Sequence, residues 1–280
     1  MTKLRKKKLK LKQSQRIKTL VLTTGLLICC CIVFTLLFAL NIFGTSIYRV
    51  DSRVKNIAKE QKQEKKNAGY ETIGWLKVQG TKIDAPIVGY ENVTDLAHIE
   101  KDDYLWNNNN QEKFFNQVVI SGHNIMNLSN TPKVGEKYFS RFDDLMAFVY
   151  EDFIEDNKYI QYTVNGEDHV YKIFGVFFEK DYMLDLNINK DYTKEETKEY
   201  IKQINDLSIY NFDVEVDEND SLITLTTCTR IFGKNNQKQF VVVGRLLRED
   251  EKMDNYKVTT NDKYKEIKKL MEGDDDNAKA

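Results

Sequence analysis

Apolar and polar positions divide the chain into regimes of different period. From Thr19 to Phe43, 25 residues carry no charge and are mostly aliphatic or aromatic. Roughly 20 apolar residues cross a bilayer as a helix, so residues 19–43 read as a transmembrane anchor. A cleaved signal peptide fits less well, because its apolar region would be about 7–15 residues long and end at small residues. Over residues 44–70 the apolar positions Ile47, Val50, Val54 and Ile57 fall at helical spacing before the segment turns polar. That spacing predicts a helical stalk.

At residue 71 the pattern shortens to β-like runs, at 74–78, 83–88, 117–121, 159–164, 169–178, 221–226 and 240–247, bounded by Gly, Asn and Asp. Many short strands of this kind predict a mostly β fold, a barrel or a sandwich. Residues 139–146 read as a short helix or turn, and residues 192–207 as a better helix. In the second, Thr193 and Glu196 form a capping-box pattern, and Tyr200, Ile201, Ile204 and Leu207 share one face. Residues 71–250 are therefore one β-rich domain with a helical insertion, large enough for its own core. The charged segment 251–280, ending GDDDNAKA, reads as a disordered tail.

Charge fixes the direction of the anchor. Residues 1–18 contain nine Lys or Arg and no acid. Flanking cations stay in the cytoplasm, so residues 1–18 form a cytoplasmic basic segment and everything beyond the anchor faces outward, a single-pass protein of the cell membrane. The basic run is an orientation signal and a contact for anionic lipid. The overall charge of −1 becomes −10 for residues 19–280, which argues against a nucleic-acid partner.

The four cysteines are Cys29, Cys30 and Cys31 in the anchor and Cys228 in the exported domain. A lone ectodomain cysteine cannot form a disulfide within that domain, and three histidines hardly supply a zinc site. Cys228 closes the strand-like run SLITLTTC, where a thiol can act as a nucleophile rather than pack as a small hydrophobe. Among His98, His123 and His169, His123 directly follows the apolar run 117–121 in the sequence SGHN. It sits where a strand ends and a loop begins, the position from which a side chain faces a cleft. His123 is thus the candidate acid–base partner of Cys228.

An N-terminal anchor, GWLKVQGTKIDAPIV at 74–88, ISGHN at 120–124 and TLTTC at 224–228 together resemble a sortase, the cysteine transpeptidase of Gram-positive cell surfaces. The resemblance covers roughly residues 70–248, and the helix at 193–207 resembles the insertion of class B members. It implies an eight-stranded β-barrel. It also implies that Cys228 attacks the Thr carbonyl of a sorting signal in an exported protein, forming a thioester. His123 would protonate the leaving amine and then deprotonate an amine of a peptidoglycan peptide or lipid-linked precursor. Such chemistry needs no cofactor and no metal. Class B resemblance suggests an Asn-Pro-x-Thr-like signal and wall anchoring.

One departure stands out. The family places an arginine at the start of the strand after the cysteine, and here Lys238 and Gln239 precede FVVVGR. If the preceding strand runs past Cys228, its period of two puts Arg230 on the thiol's face, which makes Arg230 the candidate for that role. The alternatives are that Gln239 or Lys238 fills the role, that the barrel is catalytically impaired and only binds wall proteins, or that it polymerises pili. An L,D-transpeptidase shares Cys228-Thr-Arg230 but places Ser-x-Gly before its cysteine. A papain-like hydrolase carries its cysteine early, on a helix.

Overall fold

The computed structural model describes residues 23–25, 72–89, 105–107, 113–125, 127–129, 131–134, 142–179, 190–233 and 236–272. The chain divides into two units, Met1–Arg49 and Val50–Ala280. In the first, Thr23–Gly25 are helical. The expected anchor beyond those three residues, the stalk, His98 and the three anchor cysteines lie outside the described residues. Among the described residues no helix is long and apolar enough to cross a membrane.

The second unit is built on a closed barrel of eight strands. These are β1 (Thr72–Val78), β2 (Asp84–Gly89), β3 (Leu105–Asn107), β4 (Gln117–Ser121), β5 (Tyr159–Val164), β6 (Glu167–Glu179), β8 (Leu222–Thr229) and β9 (Lys238–Leu246). Their order around the barrel is β1-β2-β3-β4-β8-β9-β6-β5, with β5 returning to β1. Two joints, β2 with β3 and β4 with β8, are parallel. Every long strand expected from the apolar runs is present. Between β5 and β6 the turn Asn165–Gly166 has positive φ at both residues, 53° and 78°. That two-residue loop suits the right-handed twist of the hairpin.

The expected helical insertion is α2 (Lys194–Leu207), which follows α1 (Glu151–Asp156) in the chain. Thr193 Oγ1 accepts from Glu196 N at 3.3 Å, and Glu196 Oε2 accepts from Thr193 N at 2.7 Å, closing the capping box. Tyr200, Ile201 and Ile204 bury their side chains against Phe174, Phe177, Leu222, Val241 and Val243 of the sheet. The segment expected as a short helix or turn at 139–146 contains a 3-10 helix over Asp143–Val149.

The tail corrects an expectation. Instead of being disordered from residue 251, it forms β10 (Val258–Thr260), paired with the short strand β7 (Tyr210–Phe212), and then α3 (Asp262–Glu272). Tyr256, Val258, Tyr264, Ile267 and Met271 are buried, single residues in a segment whose other positions are mostly charged or polar. The loop leading to β10 also neutralises cations in the barrel wall. Arg245, 1% exposed, is held by Glu251, and Lys172 pairs with Glu251 at 2.9 Å and Asp254 at 2.8 Å.

Hydrogen bonds from Arg245 and Lys172 hold the Glu251 carboxyl well below its ordinary value of 4.5, and Lys172 lowers Asp254. A carboxylate with a depressed folded-state pKa stabilises the fold above its unfolded pKa, and that contribution is lost as pH falls through the folded value. Thermal stability should therefore fall steadily on acidification below about pH 4.5. Glu251→Gln should cost about 2 kcal/mol at pH 7 and flatten the acid slope, as read by melting curves at several pH values. An unchanged slope would show that the clasp is not what titrates.

Candidate functional site

β4 and β8 run side by side in parallel, from Gln117 opposite Leu222 to Ser121 opposite Thr226. Residues 117, 119 and 121 share a face with 222, 224 and 226, and His123 and Cys228 each follow the last pair, Ser121 with Thr226, by two residues. Three hydrogen bonds hold the two strand ends in that relation. Gly122 N donates to Thr226 O at 3.3 Å, Thr227 Oγ1 donates to Gly122 O at 2.6 Å, and Asn124 Nδ2 donates to Cys228 O at 3.0 Å. Gly122 is required by crowding, because a Cβ there would lie 2.8 Å from both Leu105 and Phe142 side-chain atoms.

The His123 ring meets Trp106 edge to face, with centroids 5.1 Å apart, and its carbonyl accepts from Phe142 N at 3.2 Å. The loop beyond it is pinned from below. Asn124 Oδ1 accepts from Asn127 N, Asn127 Nδ2 donates to Asp143 O, and Asp143 Oδ1 accepts from Ile125 N at 2.7 Å. Asn124, Asn127 and Asp143 are all buried. Buried amides saturated in this way fix a loop whose backbone has no ladder to join.

Cys228 is half-buried near the end of β8, and Gln237 Nε2 donates to its Sγ at 3.2 Å. On the other side β9 is antiparallel to β8, with Gln239 directly opposite Cys228 and Lys238 opposite Thr229. The row continues on β6, where Glu179, 2% exposed, is opposite Gln239. The α2 helix covers the Leu222 end of this face, where Tyr200 Oη and Thr224 Oγ1 are 2.8 Å apart. Cys228 lies four residues past Thr224, roughly 13 Å further along the strand.

The ground for placing Arg230 on the thiol's face does not hold. β8 ends at Thr229, and Arg230 opens a turn in which Gly233 N donates to Arg230 O at 2.9 Å. Arg230 is half-buried two residues from the thiol, but strand parity no longer sets where its side chain points. The cross-strand place belongs to Gln239. His169 lies on β6 with its ring 4.3 Å from that of Phe114, and burial lowers its pKa, as suits a structural histidine. Among the described residues no group of three or more His, Cys, Asp or Glu could hold a metal ion.

A family model described as the sortase domain matches residues 76–247. The chain belongs to the sortase family. Sortase B of Staphylococcus aureus is 23% identical over 185 residues, covering 63% of this chain and 70% of that protein. Sortase B of Listeria monocytogenes is 25% identical over 219 residues, covering 72% of this chain and 81% of that one. The crystal structure of a cysteine-to-serine mutant form of Clostridium perfringens sortase B superposes with a TM-score of 0.54 at 24% identity. It covers 70% of this chain and 90% of that one. Sortases are cysteine transpeptidases that sort proteins to the cell wall, and that is the class of enzyme to which this sortase belongs. The helical insertion and the relatives both align it with class B.

Sequence reasoning passed over Gln237 and Trp106. Gln237 touches the thiol only because the loop after Arg230 folds back, and no local pattern announces that. Trp106 sits on a three-residue strand too short to show a period.

Proposed function

We propose that this sortase cleaves exported proteins after the Thr of a sorting signal and joins them to an amine of a cell-wall peptide. The observation that supports this most is the parallel pairing of β4 with β8, whose last pair, Ser121 with Thr226, His123 and Cys228 each follow by two residues. The Cys228 thiolate adds to the Thr carbonyl carbon, and the carbonyl oxygen becomes an oxyanion, for which Arg230, half-buried and the guanidinium nearest to Cys228 in the sequence, is the proposed donor. Collapse breaks the C–N bond, with His123 giving its proton to the departing amine and a thioester remaining on Cys228. The acceptor amine then attacks that thioester and passes a proton to His123. The C–S bond breaks, a new amide forms, and the thiolate is restored.

The uncharged stretch 19–43 and the cations before it support a single-pass anchor with the catalytic domain on the outer side of the membrane. The acyl donor and the acceptor would both be met there.

A panel of fluorogenic Asn-Pro-x-Thr-Gly peptides, with x varied and an acceptor amine present, tests the reading. Turnover and a Cys228-linked acyl mass in the wild type are the expected result. Arg230→Ala should lose roughly 100-fold in acylation rate, the scale of one lost oxyanion donor. Equal rates for Arg230→Ala and wild type would remove Arg230 from the mechanism. A folded domain that acylates with no peptide would leave a barrel that binds wall proteins without catalysis.

A further inference from the structure

The pairing of β4 with β8 does not stop where the ladder does. β4 ends at Ser121 while β8 runs on to Thr229, and past the pair Ser121 with Thr226 the chain after β4 is held to β8 partly by side chains. In a parallel ladder continued to this point, the backbone N–H of residue 124 would meet the Cys228 carbonyl. That carbonyl instead accepts from the Asn124 carboxamide, Nδ2 to O at 3.0 Å. The Gly122 carbonyl accepts in the same way from the Thr227 hydroxyl at 2.6 Å. Side chains thus span the distance between the segment that carries His123 and the residue that carries the thiol.

The chemistry of this place asks for a short amide. Asn124 is 6% exposed, and both hydrogens of its carboxamide are committed. Nδ2 donates to Asn127 O and Cys228 O, each at 3.0 Å, and Oδ1 accepts from Asn127 N at 3.0 Å. Turning the amide over would set its oxygen against two carbonyls and its nitrogen against an N–H, so one orientation alone fits. A carboxylate here would face two carbonyls with no hydrogen to offer, and an apolar side chain would strand all three backbone groups. Asn127 in turn bonds Lys133 N, Lys133 O and Asp143 O, so the loop after His123 is one pinned unit. The Asn124 carboxamide fastens that unit to the backbone of the nucleophile, although 104 residues separate the two in the chain.

We propose that Asn124 is a positioning residue for acyl transfer, whose carboxamide fixes the distance from the Cys228 backbone to the strand end that bears His123. That distance matters at one bond. When the tetrahedral adduct on Sγ collapses, the Thr carbonyl carbon loses an amine, and the nitrogen leaves only as it takes a proton from His123. A catalytic group displaced by about 1 Å costs about 100-fold in such a step. Expulsion of a thiolate in place of an amine needs no proton at all. The inference rests on the acyl-transfer reading, and the two fail differently.

The experiment uses the full chain and two acyl donors, the Asn-Pro-x-Thr-Gly peptide that acylates Cys228 fastest and its analogue with a thioester in place of the scissile amide. With the first, nitrogen must leave protonated. With the second, Sγ bonds to the same carbon and the displaced sulfur departs as a thiolate. Single-turnover acylation is followed by mass spectrometry over a range of donor concentrations, and alkylation by iodoacetamide reports the reactivity of the thiol. Asn124→Asp and Asn124→Ser should lower the limiting rate with the amide by roughly 100-fold at an unchanged half-saturating concentration. Their rates with the thioester and with iodoacetamide should stay at the wild-type level, whereas a purely structural role slows all three alike. Thr227→Val removes only the neighbouring bond to Gly122 O and supplies a folded variant should the loop not tolerate a change at Asn124. It should slow the amide more than the thioester. The same amide-to-thioester ratio in the wild type and in every folded variant would overturn the inference while leaving Cys228 and His123 in place. No Cys228 adduct with any amide peptide would sink the acyl-transfer reading along with it.

Discussion

Replacing Cys228 with alanine is expected to abolish acyl transfer, lowering turnover by on the order of 10⁴- to 10⁶-fold, as when a covalent nucleophile is removed elsewhere. No neighbour in its row can take its place, since Cys228 is the only cysteine among the described residues and its cross-strand neighbours are the amide of Gln239 and, beyond it, the carboxylate of Glu179. The same variant should fold. Cys228 is only half-buried, it lies next to the last residue of β8, and alanine keeps the backbone bond from Asn124 to residue 228. The substitution forfeits the weak bond from Gln237 Nε2 to sulfur. The melting temperature should therefore move by a few degrees at most while the acyl-enzyme mass disappears. Substantial residual turnover in Cys228→Ala would transfer the chemistry to another group.

The residues that make this site were legible to different depths. Cys228 and His123 could be read because each follows a run of β-branched and apolar residues that ends abruptly, so both positions are strand ends whatever the topology. That the two strand ends adjoin was not readable. It depends on β4 and β8 being parallel neighbours although residues 122–221 intervene between them, and no local pattern encodes such a pairing. Arg230 shows the limit of parity arguments, which hold only while a strand lasts, and β8 stops one residue short. Gln239 was noticed as a departure in the sequence, but its place opposite the thiol exists only in the folded sheet.

The helices divide in the same way. α2 carries its own start signal and an apolar face, so it needed no tertiary information. In contrast, the tail looked like a solvated segment because its burial relies on single residues, Tyr256, Val258, Tyr264, Ile267 and Met271, set among charges. Lys158, Lys172 and Arg245 look like surface cations in the sequence and are buried in the fold, each 5% exposed or less. Composition assigns such residues to water unless their partners are known.

Those partners make removal of the tail the most damaging change expected of the fold. A chain ending at Asp250 should fail to fold, or melt tens of degrees below the full chain. Truncation strips Glu251 and Asp254 from Lys172, Glu251 from Arg245, and Asn255 and the Tyr256 carbonyl from Lys158. Breaking a buried ion pair by losing one partner costs about 3–5 kcal/mol, so two stranded cations approach the whole stability of an ordinary domain, about 5–15 kcal/mol. The Tyr256 hydroxyl also bonds the carbonyls of Lys158 at 2.9 Å and Ile173 at 2.7 Å, and the ring of Tyr264 lies 5.2 Å from that of Tyr210. Both contacts would be lost, and the barrel wall beneath them would be exposed to water. The family match ends at residue 247, so a domain cut at that boundary would carry this defect. Circular dichroism melts of the full and truncated chains measure the effect. Adding Lys172→Met and Arg245→Met to the truncated chain should restore part of the loss, because methionine leaves no unpaired charge in the wall. A truncated chain that melts with the full one would mean that water reaches Lys172 and Arg245 once the tail is gone.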